Sequence, residues 1–131
     1  MMYVLDTNTL IYFFKGSGGV SGHLLGKNPK DIAIPSIVLF ELEVGIAKSV
    51  SPQKRRLQLL ELVSVVQVLP FGLKEARIAA SNRVELEKKG LMIGPYDILI
   101  AAVALSNKAI LVTHNISEFK RIKGIQLEDW F

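Results

Sequence analysis

Apolar residues in this chain keep two rhythms, short unbroken runs and longer stretches with apolar positions three or four apart. The run Met2 to Leu5 suits a strand buried on both faces. Thr9 to Lys15 reads as a short helix and Leu24 to Lys27 as part of another. Ile32 to Ile34 form a second strand, closed by Pro35, which cannot donate to a ladder. Ser36 suits an N-cap for a helix reaching about Lys48, and Ser51-Pro52 opens one reaching about Leu62. The valine-rich segment Val63 to Leu69 predicts a third strand, ended by Pro70. Leu73, Ala76, Ala80 and Val84 then mark an amphipathic helix, with Glu85 four before Lys89 and Gly90 as its stop. Pro95 to Lys108 is a nearly all-apolar helix, hence central; Ala109 to Thr113 is a fourth strand, and Gly124 to Leu127 supplies a fifth.

Strands alternating with helices predict an α/β fold, a three-layer α/β/α sandwich around a mostly parallel sheet. A length of 131 residues suits a single domain, residues 1–131, with one core. The glycine-rich stretch Gly16-Ser17-Gly18-Gly19-Val20-Ser21-Gly22 has neither the dinucleotide nor the Walker spacing, and reads as a turn between two short helices.

Composition narrows the chemistry. Half the residues are apolar and only 21% are charged, which excludes a disordered chain. With no cysteine there is no disulfide scaffold, thiolate zinc site or cysteine nucleophile. His23 and His114 are too few for a histidine-rich site, so any metal must be held by oxygens, which favours magnesium or manganese. The longest apolar run, Ile98 to Leu105, falls far short of the roughly 18 residues that span a bilayer. Asp6 interrupts any signal-peptide core, so the expected location is the cytoplasm, without a membrane partner.

In parallel α/β sheets functional groups gather at the carboxyl ends of the strands. Asp6 directly follows the first strand, and Thr113-His114-Asn115 the fourth. Glu41 lies in the helix after the second strand, and Asp97 in the first turn of the apolar helix. All three acids sit in segments otherwise almost wholly apolar, where carboxylates are rarely tolerated unless paired or bound to a cation. Each has a plainer reading: Asp6 as a helix cap, Asp97 as a partner of the helix dipole, Glu41 as a solvated or salt-bridged side chain. Together on one rim they repel one another, and a divalent ion removes that cost. Magnesium is usually held by one or two carboxylates, waters and phosphate oxygens, so the cluster reads as an open site for a phosphate.

Asp6-Thr7-Asn8, the helical Glu41-Leu42, Pro95-x-Asp97 and Thr113-x-Asn115 resemble the PIN-domain ribonucleases. Gly94-Pro95-Tyr96-Asp97-Ile98, Val112-Thr113-His114-Asn115, Glu118-Phe119 and Glu128-Asp129-Trp130 resemble the VapC-type toxins of type II toxin–antitoxin pairs, and the likeness covers essentially the whole chain. It implies a PIN-like sandwich and a Mg2+- or Mn2+-dependent endoribonuclease, leaving a 5′-phosphate and a 3′-hydroxyl. Asp6, Glu41 and Asp97 would be the acidic centre and metal ligands, and Asn115 the fourth catalytic position. Thr7, Asn8 and Thr113 would orient the carboxylates. Many relatives carry aspartate where Asn115 stands, which puts a second ion in question; Glu118, one helical turn later, is a candidate for the missing charge, or else a helix-surface acid. The resemblance also implies a VapB-type antitoxin, whose tail covers the active site, a toxin homodimer and a structured RNA substrate such as tRNA.

Charge agrees with a polyanionic substrate. The formal net charge is +4, and setting the three acids aside leaves sixteen basic against nine acidic residues. Lys120, Arg121 and Lys123 are the candidate RNA contacts, while Lys54-Arg55-Arg56 reads as a solvated helix start. His114 reads as a surface or RNA-contacting residue, since a metal-activated water needs no general base. The helix from Ile37 to Ala47 is apolar on nearly all sides, which points to an interface. Two rival readings stand beside this one. An aspartyl-phosphate phosphatase of the haloacid-dehalogenase type needs a second acid where Asn8 stands; a receiver domain fails similarly, with Leu69-Pro70-Phe71 after the third strand. A non-catalytic PIN-like RNA- or protein-binding module would have no need of all three acids.

Overall fold

The computed structural model describes residues 1–131. Five strands form one parallel sheet: β1 (Tyr3–Leu5), β2 (Ile32–Pro35), β3 (Gln67–Leu69), β4 (Ile110–Val112) and β5 (Gln126–Glu128). Their order is β3-β2-β1-β4-β5, so the first strand made lies at the centre. Register is set by Tyr3 opposite both Ile32 and Ile110. The helices are α1 (Thr7–Lys15), α2 (Val20–Leu25), α3 (Ser36–Ala47), α4 (Pro52–Val63), α5 (Leu73–Lys89), α6 (Pro95–Ser106) and α7 (Ile116–Phe119). A single 3₁₀ turn covers Pro29–Asp31. The expected parallel α/β architecture is the one found.

Why the central strands read as solid apolar runs is now plain. Val4, Leu5, Ala33, Ile34, Leu111 and Val112 show no exposed surface, because helices cover both faces of a parallel sheet. The expectation for the apolar helix also holds: Ile98 and Ile100 through Ala104 of α6 are buried. Each large side chain buried there contributes on the order of 1.5–3 kcal/mol. Three buried alanines in α6, at 101, 102 and 104, let the helix pack closely against its neighbours.

Some local expectations shift. Val63 belongs to the end of α4, and only Gln67–Leu69 pairs as a strand, because the neighbouring strand β2 is itself only four residues long. Pro35 is the last residue of β2 and the N-cap of α3, so Ser36 opens the helix without capping it. Proline fits there because its missing N–H falls where the ladder ends. Asp6 caps α1, starting that helix at Thr7, two residues earlier than its apolar pattern suggests.

Gly16 to Gly19 form the expected turn between two short helices, whereas Val20, Ser21 and Gly22 already belong to α2, and the turn has a specific contact. Gly18 has φ +62°, and a Cβ there would lie 2.6 Å from the Phe131 carbonyl oxygen. The Gly19 amide donates to that same carbonyl. The final residues Trp130 and Phe131 thus close over the α1–α2 turn, with Trp130 buried. No helix is long and apolar enough to cross a membrane.

Candidate active site

Only three polar or charged residues are buried, Asp6, Thr9 and Thr113, and they meet at the carboxyl ends of β1 and β4. Asp6 leaves β1 as the N-cap of α1, and its Oδ1 accepts from the Thr9 amide at 2.9 Å. The Asp6 amide donates to the Val112 carbonyl at 3.2 Å, and Thr9 Oγ1 donates to that same oxygen. Thr113 and Thr9 hydroxyls also reach the Asp6 carboxylate. Burial nevertheless dominates, holding the Asp6 pKa above the ordinary carboxylate value against those hydrogen bonds.

Glu41 reaches the same rim from α3, where Thr7 Oγ1 donates to its Oε1 at 2.7 Å. Asp97 arrives from the first turn of α6 and lies back over Gly94, where a Cβ would stand 3.2 Å from its Oδ2. Glu118, in α7, accepts from the Asn115 side-chain amide. Asn115 itself is oriented by its backbone amide donating to Thr113 Oγ1 at 3.0 Å.

Asp97 registers the company it keeps. Its pKa is pushed up to about 6, by burial first and then by the charges of Asp6, Glu41 and Glu118. Four carboxylates from four separate elements therefore share one electrostatic neighbourhood. No lysine or arginine pairs with any of them. As the side chains stand, no three converge tightly enough to grip one ion. Each has a reason to point elsewhere: Glu41 toward Thr7, Glu118 toward Asn115, and Asp6 toward Thr9. Asp97 alone of the four accepts no hydrogen bond. A cluster made wholly of oxygen donors, with unbalanced negative charge and one unpartnered member, fits a hard divalent cation.

The orienting residues only partly follow the sequence reading. Thr7 donates to Glu41, and the Thr113 hydroxyl reaches the Asp6 carboxylate. Asn8 is exposed, makes no side-chain hydrogen bond, and does not hold one. Thr9, unmarked in the sequence reading, does so, because the third residue of a helix faces back to its cap while the second points outward. The spacing Asp6-x-x-Thr9 was the available signal. Lys120, Arg121 and Lys123 are exposed, and Arg121 donates to the Met92 carbonyl two residues before Gly94. Arg55 is half-buried rather than freely solvated, since it donates to the Phe14 carbonyl and to Gln58. With Lys15, Ile11, Phe14, Leu42 and Ile46 it lines a groove of about 280 Å³ that runs up to Glu41.

A parallel sheet whose strand ends carry an uncompensated carboxylate cluster offers oxygen ligands of the kind that hard divalent cations take. The family model for the PIN domain matches residues 3–125. The chain belongs to that family, and within it to the VapC ribonucleases, the toxins of VapBC toxin–antitoxin pairs. It is 42% identical to ribonuclease VapC2 of Rickettsia felis, over 99% of this chain and 98% of that protein. It is 36% identical to the tRNA(fMet)-specific endonuclease VapC of Salmonella typhimurium, with the same coverage. Among solved structures, VapBC2 of Rickettsia felis bound to a promoter DNA fragment superposes with a TM-score of 0.90 at 41% identity, covering 100% of both chains. The DNA-bound VapBC of Salmonella typhimurium gives 0.92 at 36% identity, covering 100% of this chain and 99% of that one. Neither the phosphatase nor the non-catalytic reading finds support among these relatives.

Proposed function

We propose that residues 1–131 act as one nuclease domain that hydrolyses phosphodiester bonds in a structured RNA with a carboxylate-held Mg2+ or Mn2+ ion. The observation that carries this reading is Asp97, which accepts no hydrogen bond and is raised to about 6 by burial first and then by three neighbouring acids. Such a group is costly to keep ionised unless a cation joins it. Asp6, Glu41 and Asp97 are the residues that would hold the ion. When bound, it would supply charge stabilisation at the scissile phosphate and activation of water.

The protein's own groups prepare that arrangement. Thr9 and Thr113 fix Asp6, Thr7 fixes Glu41, and Gly94 leaves room for Asp97 to lie along the rim. These contacts keep the carboxylates at one rim, and a cation would draw their oxygens the rest of the way together. Asn115 brings no charge of its own, but it holds Glu118 within reach of Asp97, so the negative charge expected at that position comes from its neighbour. Lys120, Arg121 and Lys123 supply the positive border on which a polyanion settles.

A tRNA substrate is supported by the relative named as a tRNA(fMet)-specific endonuclease, and cytoplasmic action by the nature of that substrate. A VapB-type antitoxin is supported by the VapBC complexes that superpose on this chain. The groove along α1, α3 and α4, apolar and ending at Glu41, suits a segment of that antitoxin covering the centre. A homodimer is supported by the apolar face that α3 and the start of α6 leave open, where Phe40 and Tyr96 pack ring to ring at 5.8 Å and are each about half exposed.

End-labelled tRNA incubated with the purified protein and manganese tests the reading. Endonucleolytic cleavage with 5′-phosphate products is expected, abolished by chelator and by Asp6→Asn in a protein that stays folded. Undiminished cleavage after exhaustive chelation would overturn the metal assignment.

A further inference from the structure

His114 stands between two residues of the site, Thr113, which holds Asp6, and Asn115, which holds Glu118, yet it takes part in neither contact. Its ring is instead part of an aromatic group. Phe131 stacks on it with centroids 4.3 Å apart and planes 27° from parallel. Tyr12 of α1 meets both rings edge-on, at 5.9 Å from His114 and 4.8 Å from Phe131. His114 Nδ1 lies 2.9 Å from Asp129 Oδ2, which fixes the plane of the imidazole. The Phe131 ring is backed by Gly18, where any Cβ would strike it. Despite this support, 46% of the His114 side chain and 48% of Phe131 are exposed.

A pair of rings held rigidly, oriented from three directions and left half open is costly to keep in water if it serves only as a fastening. Trp130, one residue before Phe131, is the fastening: it is buried and donates to Glu128. We propose that the His114–Phe131 stack is a platform for an unpaired nucleobase of the RNA, next to the scissile phosphate. Every base has a π face, and aromatic and imidazole rings stack on unpaired bases in this way. A cation on the neighbouring carboxylates would engage the phosphate, and the ring pair receives the base attached to it. This rests on the reading of the chain as an RNA-cleaving enzyme.

Binding is measured apart from cleavage, on an Asp97→Asn background that is silent toward RNA. Short single-stranded RNAs carry 2-aminopurine at successive positions around the cleavage site, and quenching of its emission reports stacking. One position is expected to quench strongly, and Phe131→Leu or His114→Ala is expected to remove the quenching and weaken binding about tenfold. His114→Phe keeps an aromatic face but loses the bond to Asp129; it is expected to retain quenching, and Asp129→Asn likewise. In otherwise wild-type protein, Phe131→Leu should raise KM about tenfold with kcat little changed. An RNA abasic at that position should make wild type and Phe131→Leu alike. Loss of quenching in His114→Phe equal to that in His114→Ala would overturn the proposal, assigning the ring to the Asp129 contact alone. Absence of quenching at every position would also overturn it. A wild-type chain that quenches 2-aminopurine but cuts no RNA would contradict the nuclease reading and leave the platform standing.

Discussion

Asp97 sets the energetics of the centre. Its pKa is about 6 in the fold against an ordinary 3.8. A carboxyl with a higher folded than unfolded pKa weakens the fold above the folded value, and that loss vanishes as pH falls below the unfolded one. Asp97→Asn should therefore raise the melting temperature of the metal-free protein at pH 7.5 and change nothing near pH 3.5. The group is close to half exposed, so screening limits the gain to about 1 kcal/mol, or about 3–5 °C. The same variant should lose RNA cleavage by about a hundredfold or more. Gly94→Ala tests the space beside it, since a Cβ would stand 3.2 Å from Asp97 Oδ2 while the backbone at φ −55° suits alanine. Manganese affinity by calorimetry should fall about tenfold, with stability nearly unchanged. At this scale the acids were legible, because Asp6, Glu41 and Asp97 interrupt apolar runs where a carboxylate needs a reason. Their holders were less so: Thr7 meets Glu41 across 34 positions, and Thr113 reaches Asp6 from the far end of the chain. Pairings of that kind exist only once the strands are in register.

Among the elements, the strands of the centre and the apolar α6 were plain from their unbroken runs, since burial on both sides leaves no polar position to confuse the pattern. Boundaries were harder. The end of α4 and the start of β3 share the valine-rich stretch from Val63, and only pairing with β2 decides which residues belong to the sheet. The four-residue α7 is too short to show a helical period, although it carries Glu118. The α1–α2 turn gives the sharpest test of an element. Gly16 and Gly18 both have positive φ, but a Cβ on Gly16 meets nothing within 4 Å, whereas one on Gly18 meets the Phe131 backbone. Gly16→Ala should cost about 1 kcal/mol from backbone conformation alone. Gly18→Ala should cost about 1–2 kcal/mol more, and urea midpoints of the two variants measure the difference.

For the molecule as a whole, cation, proton and polyanion act on the same rim. Manganese at about a hundred times its dissociation constant should stabilise the fold by about 2.7 kcal/mol. Thermal melts should show that gain at pH 7.5 and a smaller one at pH 5, where protons compete for Asp97. Replacing Lys120 and Lys123 together by alanine should weaken RNA binding and reduce the slope of log affinity against log salt by roughly 1–2. The basic cluster was readable as letters, but the tie of Arg121 to the Met92 carbonyl was not, because it joins residues 29 positions apart.

The sheet order carries a further consequence for the cell that makes this chain. β1 is made before the other four strands, yet it is completed only when β4, more than a hundred residues later, pairs with it. The Asp6 amide waits for Val112 and its carboxylate for Thr113, and contacts so distant in the chain form late. A nascent or prematurely released polypeptide ending before residue 110 thus has no assembled centre. Fragments that stop short of β4 should therefore show no RNA cleavage.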